Sequence, residues 1–280
     1  SDGHLYPDTS CYELKEKLSD LMDIPKSCIC VGNGSTELIY LLGVAFLDVG
    51  DTFIMSESSF IMGKIIAQIM NANLKQIPLK DFQHDFDSIL EAISPETKIV
   101  YLDNPMNPIG SMKGRQDIES FMEKIPDDVI VVFDEAYYEY ISREDYSDTL
   151  RFVKEGKNVI VLRTFSKLFG LAGLRIGYGT ANKEFIKAIK QVSPPFSVNR
   201  LAQLGAIAAL GDVDHIQKSK DLNEAGKSFL YEKFEEMSLF YIPSETNFVT
   251  LDVKTDAVQI AEELQKEGVI IRPLTIYGKP

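Results

Sequence analysis

Ser166-Lys167-Leu168-Phe169-Gly170-Leu171-Ala172-Gly173-Leu174-Arg175-Ile176-Gly177-Tyr178 stands just beyond an apolar run, residues 159–162, that reads as a buried strand. Lysines usually decorate surfaces, where nothing fixes their surroundings. A lysine at the C-terminal mouth of a buried strand can be desolvated, lose its proton and attack a carbonyl. Arg175, eight positions on, puts a guanidinium within the same stretch.

Outward from this stretch the pattern repeats. Short apolar runs at 53–55, 74–77, 99–102, 129–133 and 159–162 alternate with segments of helical spacing such as 36–46, 63–70 and 116–124. Short continuous strands interleaved with helices predict an α/β fold, a mostly parallel sheet covered by helices on both faces. Sheets of this kind bind ligands at the carboxyl ends of their strands. The last third differs. Residues 199–210 and 213–237 read as long helices, 248–253 as a strand, 255–267 as a capped helix ended by Gly268, and 269–272 as a further strand. The expected organisation is an N-terminal segment, 1–29, packing with the small domain and a dimer partner; a large cofactor-binding domain, 30–212; and a smaller α+β C-terminal domain, 213–280, expected to be incomplete. Within the first segment a helix over 12–22 follows the start signal Pro7-Asp8-Thr9-Ser10.

Bulk properties narrow the function. The 280 residues, 45% hydrophobic, suffice for one large domain or a large one with a small one. A net charge of -13 repels phosphate backbones, which argues against nucleic acid as a partner. Three cysteines, Cys11, Cys28 and Cys30, form no disulfide framework and are expected to be small buried hydrophobes. His4, His84 and His215 lie far apart, so no metal site is expected. The longest strongly apolar stretch, 38–47, is too short to cross a bilayer, and no charged-then-apolar leader opens the chain. The expectation is a soluble cytoplasmic protein.

Four loops carry candidate chemistry. Gly32-Asn33-Gly34-Ser35-Thr36 opens a helix, where glycines let the backbone approach an anion and the free N–H groups favour a phosphate; an ordinary turn into a helix would look the same. Asn104-Pro105-Met106-Asn107-Pro108-Ile109-Gly110 is a stiff loop able to hold an amide against a ligand oxygen, or a plain turn. Asp134-Glu135-Ala136-Tyr137 ends an apolar strand with a carboxylate that needs a positive partner or donors, either a cap for the next loop or a partner for a cationic ring nitrogen. Thr164-Phe165-Ser166-Lys167 with Arg175 offers hydroxyls and a bidentate guanidinium to a phosphate, the alternative for Arg175 being a surface ion pair. Together a phosphate cradle, a carboxylate for a ring nitrogen, an amide and a phenol for a ring hydroxyl, and an imine-forming lysine describe a site for pyridoxal 5'-phosphate.

With these motifs in place, the chain resembles the fold-type I pyridoxal-phosphate aminotransferases, and within them the histidinol-phosphate aminotransferase branch. The resemblance runs from Tyr6-Pro7-Asp8 to Tyr277-Gly278 and is strongest in Asp134-Glu135-Ala136-Tyr137 and from Arg163 to Tyr178. It implies transfer of an amino group between an amino acid or amino alcohol phosphate, histidinol phosphate first, and 2-oxoglutarate, a step of histidine biosynthesis. It implies an internal aldimine on Lys167, Asp134 on the pyridine nitrogen, and Asn107 and Tyr137 on the phenolic oxygen. The cofactor phosphate would fall to Ser35, Thr36, Ser166 and Arg175, with Thr164 beside them and backbone help near Gly34. Phe60 would stack on the ring. Tyr6 would reach the phosphate in the neighbouring subunit of a homodimer with shared sites, and Arg272 would face the substrate's phosphate. The chain departs from the family pattern at Met106 and Ile109, where Asn and Thr are usual, and at Phe60, where this branch commonly has tyrosine.

Three other readings share some of these residues. A decarboxylase of a phosphorylated amino acid, such as threonine phosphate, would keep every cofactor contact. A non-catalytic pyridoxal-phosphate-binding regulatory module would keep the pocket, but such proteins usually carry a basic DNA-binding segment, which this acidic chain lacks. A nicotinamide enzyme would need Gly-x-Gly-x-x-Gly, and the loop starting at Gly32 lacks the third glycine.

Overall fold

In the computed structural model, which describes residues 4–277, strands and helices alternate through the first two thirds of the chain. The large unit contains α1 (Tyr12–Met22), β1 (Ile29–Gly32), α2 (Ser35–Phe46), β2 (Thr52–Ser56), α3 (Met62–Ile69), β3 (Asn73–Ile77), α4 (Phe86–Glu91) and β4 (Thr97–Asp103). It continues with α5 (Arg115–Lys124), β5 (Ile130–Asp134), α6 (Leu150–Lys154), β6 (Val159–Thr164), β7 (Gly177–Ala181), α7 (Lys183–Val192) and α8 (Arg200–Ala209). A smaller α+β part follows: α9 (Val213–Glu236), the antiparallel pair β8 (Phe240–Ile242) and β9 (Thr250–Asp252), and α10 (Ala257–Lys266).

The seven large-unit strands pair in the order β1-β7-β6-β5-β4-β2-β3. All pairings among β2 to β6 are parallel, and β7 runs antiparallel to both of its neighbours. The reason lies in the strands' composition. Continuous apolar runs alternate their side chains between the two faces. Val100, Leu102, Val131, Phe133, Val159 and Val161 enter one core, with helices α1, α4, α5, α6 and α8 supplying residues such as Leu14, Phe86, Phe121, Phe152 and Ala202. Ile99, Tyr101, Ile130, Val132, Ile160 and Leu162 enter the other, against Leu38 and Leu42 of α2, Ile66 of α3 and Ile186 of α7.

Helix ends follow local chemistry. Asp85, Asn182, Asn199, Asp212 and Asp256 each cap the following helix through a side-chain oxygen. For α1 the cap comes from further back: Asp8 accepts the N–H of Tyr12 at 2.7 Å, so the sequence signal is read from Asp8 and not from the residue next to the helix. The structure corrects the reading of 269–272: this stretch is irregular. It also adds β7, which the hydrophobic pattern could not show because Gly-Tyr-Gly-Thr-Ala is not an apolar run. Cys11 and Cys30 are buried, and Cys28 is partly exposed. Gly278, where the resemblance ends, lies outside the described residues. No helix is long and apolar enough to cross a membrane among the described residues.

Candidate active site

The cleft opens over the carboxyl ends of β4, β5 and β6. Register explains why. Asp103, last in β4, pairs with Asp134, last in β5, so both carboxylates rise from the same face of the sheet. Two residues before Asp103, Tyr101 shares that face, and its hydroxyl donates to Asp134 Oδ2 at 2.6 Å. The N–H of Ala136 donates to Asp134 Oδ1 at 3.1 Å. Burial pushes the Asp134 carboxyl up to about 7; the Tyr101 hydroxyl pulls it down and the neighbouring Asp103 pushes it further up. A carboxylate so buried calls for a cationic partner.

Lys167 sits in the β6–β7 connection, half-buried, with its Nζ 5.0 Å from the centre of the Tyr137 ring. Burial lowers its proton affinity; the Asp134 charge works against this, and the positive charges of Arg175 and Arg272 add to it. Its Gly170 N–H closes a tight turn on the Lys167 carbonyl, and the ring of His215, from α9, contacts the Leu168 carbonyl at 3.1 Å. Tyr137 is buried, and the amide of Asn107 donates to its hydroxyl at 3.0 Å. Burial raises the Tyr137 phenol well above its ordinary range. Phe248 of the small part meets the Tyr137 ring edge-on.

The phosphate-cradle residues converge from two elements. Gly34 caps α2 at φ +83°, and a Cβ there would lie 2.5 Å from Arg175 Nη2. Gly177 has a similar role on the other side: a Cβ would come 2.6 Å from the Ser35 nitrogen, so only glycine lets β7 lie against the start of α2. Because β7 turns back beside β6, Arg175 returns to the rim that Lys167 occupies. Arg175 has φ +57°, a costly conformation for a residue with a side chain, and its Nη1 donates to Ser166 Oγ at 3.4 Å and the Ala172 carbonyl at 3.0 Å. Thr164 Oγ1 donates to Ser166 Oγ at 3.0 Å and accepts the Ser166 N–H at 3.1 Å. Ser35, Thr36, Phe60, Asn107, Thr164, Ser166 and Arg175 border one cleft together with Lys167, Asp134 and Tyr137.

Two expected residues are not among those lining the cleft of this single chain. Tyr6 is 80% exposed and stacks on Phe196 at 4.6 Å. Arg272 is exposed, in the irregular segment after α10, with its charge acting on Lys167. Sequence reasoning missed Tyr101, Asp103 and His84. Asp103 could have been found: an aspartate ending an apolar strand is the same signal that marked Asp134.

The residues fit pyridoxal phosphate on their own terms. A buried carboxylate that calls for a cation, a half-buried amine of weakened proton affinity, and a helix start facing a guanidinium across a glycine are the complements of its ring nitrogen, aldehyde and phosphate. Against known proteins, the family model "Aminotransferase class I and II" matches residues 1–280. The chain belongs to the class I and II aminotransferases. Among curated relatives, a histidinol-phosphate aminotransferase of Moorella thermoacetica is 40% identical over 275 residues, covering 98% of this chain and 71% of that protein. A histidinol-phosphate aminotransferase 2 of Hydrogenovibrio crunogenus is 43% identical over 274 residues, covering 98% and 74%. Among solved structures, a histidinol-phosphate aminotransferase from Sinorhizobium meliloti, in complex with pyridoxal-5'-phosphate, superposes with a TM-score of 0.91 at 28% identity, over 97% of this chain and 75% of that one. The chain is thus a pyridoxal-phosphate-dependent aminotransferase with a fold-type I large unit.

Proposed function

We propose that this aminotransferase moves an amino group from histidinol phosphate to 2-oxoglutarate, in the cytoplasm, as a homodimer. One observation carries the chemistry: an amine with a weakened hold on its proton, Lys167, and a buried carboxylate pushed up to about 7, Asp134, share one cleft. The donor follows from relatives near 40% identity that carry this name, and from the Arg272 charge that reaches Lys167 from the segment after α10.

Pyridoxal phosphate, when bound, supplies an aldehyde for the amino group and a ring that accepts the electrons released at the α-carbon. Asp134 would pair with the protonated ring nitrogen, and that cation is the partner its burial demands. Asn107 Nδ2 and the Tyr137 hydroxyl, already bonded to each other, would hold the ring's phenolic oxygen. Ser35, Thr36, Ser166 and Arg175 would hold the phosphate, with the N–H groups after Gly34 and with Thr164 orienting Ser166. Phe60 would lie against the ring face. Lys167 Nζ would take up the proton from the donor's α-carbon and hold it for return. Arg272 would receive the donor's phosphate.

The dimer rests on apolar surface: Tyr6 and Phe196 stack in the open, with Leu5 54% and Leu201 72% exposed nearby in the chain. Tyr6 from one subunit would then reach the phosphate site of the other. The division into an N-terminal segment to 29, a large domain over 30–212 and a small one from 213 accords with the start of α9 at Val213. Free cysteines accord with a reducing compartment.

A half-reaction panel tests the donor. Amino donors, histidinol phosphate and threonine phosphate among them, are added singly while the bound cofactor's visible absorbance is followed. Histidinol phosphate should discharge it fastest by at least about tenfold, a contrast of the size a matched charged contact supplies. Faster reaction with another donor would overturn the assignment, and carbon dioxide release from threonine phosphate would point to the decarboxylase reading.

A further inference from the structure

Asp103 has no part in the roles above, yet it borders the cleft and is almost wholly buried. Its Oδ2 accepts two backbone N–H groups, from Phe60 at 3.1 Å and from Asn107 at 2.9 Å. These belong to different loops, one after β2 and one after β4. Each carries one of the side chains placed above against the cofactor: the Phe60 ring and the Asn107 amide. Among the described residues Oδ1 accepts no hydrogen bond, and His84 Nε2 lies 3.6 Å from it.

Behind Asp103 lies a buried support. His84 Nε2 meets the Asp103 carbonyl at 3.0 Å, and since a carbonyl only accepts, Nε2 carries the proton. His84 Nδ1 then accepts from Ser56 Oγ, 2.7 Å away. Ser56 ends β2 and Asp103 ends β4, so His84 ties together the strand ends from which both loops depart. Burial pushes the imidazole down to about 4, so it stays neutral, while the two backbone donors hold Oδ2.

The geometry points to Asp103 as a positioning residue that clamps the Phe60 and Asn107 loops into one wall of the cleft, so that ring and amide reach the cofactor as a unit. The statement rests on the cofactor reading above. A merely structural role would instead spread its effect over the whole fold.

The experiment compares apo-protein of the unsubstituted chain with Asp103→Asn and Asp103→Leu. Affinity for pyridoxal phosphate is read by fluorescence titration, and amide hydrogen exchange is followed at Phe60 and Asn107. Leucine removes the acceptor and leaves two buried donors unmet, so affinity should fall about tenfold or more and both amides should exchange faster together. Asparagine keeps an oxygen in place and should restore affinity to within about threefold. Affinity of Asp103→Leu within twofold of the unsubstituted protein, or acceleration at only one amide, overturns the clamp. If Asp103→Leu does not fold, the unsubstituted apo-protein decides. A single clamp that opens as one gives the two amides protection within about fivefold of each other, and a larger difference overturns it. Failure of the unsubstituted protein to bind pyridoxal phosphate would sink the cofactor reading instead, and would leave the exchange result to stand by itself.

Discussion

Burial and two arginine charges loosen the proton on Lys167, while Asp134 tightens it. The balance weakens the amine's hold on its proton. Lys167→Ala should lower transamination by about four orders of magnitude, the scale of a lost nucleophile and proton carrier, and should remove the cofactor's lysine-dependent visible band; turnover at the original rate would refute the role. Asp134 offers a second test, on stability. Its folded-state proton affinity lies above the unfolded value of 3.8, at about 7. The native state therefore holds an extra proton across that window. The stability this provides is complete below about pH 4 and is lost as the pH rises through 7. Apo-protein should accordingly melt lower at pH 8 than at pH 5, and Asp134→Asn should flatten that slope, raising the pH 8 melting temperature by about 2–5 °C. An unchanged slope would mean that the carboxyl is not desolvated. Lys167 and Asp134 were legible in the sequence because each puts a charge at the end of an apolar run. Tyr101 was not, since an aromatic inside a strand looks like any core residue until register sets its hydroxyl beside Asp134.

The elements that carry these groups are held by contacts the sequence could not announce. Strand β6 is anchored below Lys167 by Arg163, buried and ion-paired with Glu135 at 2.8 Å while its guanidinium lies 3.5 Å over the Tyr138 ring. Glu135 also accepts from Tyr146 and Thr149. Removing one partner strands the other's charge, so Arg163→Met should cost about 3–5 kcal/mol in denaturant unfolding. The start of α2 depends instead on space. Gly34→Ala would press on Arg175 and impose a side chain at φ +83°, a loss of about 1–3 kcal/mol. The informative readout is selective: affinity for pyridoxal phosphate should fall about tenfold while that for pyridoxal, which lacks the phosphate, stays put. Equal losses for both would show that the cradle is not a phosphate site. Helices and central strands came straight from hydrophobic period and caps. Strand β7 escaped because its glycines serve close approach and do not form an apolar run, and among the described residues no strand pairs with the stretch expected at 269–272.

At the scale of the molecule, the smaller part braces the site it does not itself form. Thr250 Oγ1 donates to the Pro108 carbonyl at 2.6 Å, the Glu245 N–H to the Gly110 carbonyl at 2.9 Å, and His215 reaches Leu168. The family and its sheet could be anticipated from motif order; this bracing could not, because it joins residues 47 to 142 positions apart. The exposed apolar surface around Tyr6, Phe196 and Leu201 belongs to the same scale. Sedimentation should show a dimer, and Leu201→Asp should weaken it at least about tenfold; a monomer at micromolar concentration would exclude shared sites. The polarity of the sheet has a practical side. The groups that line the cleft lie at the carboxyl rim, whereas Gly156, at φ +75° with open space around it, turns the chain into β6 at the far rim. A fluorescent reporter spliced in there would travel with the fold yet stay a strand's length away from the chemistry.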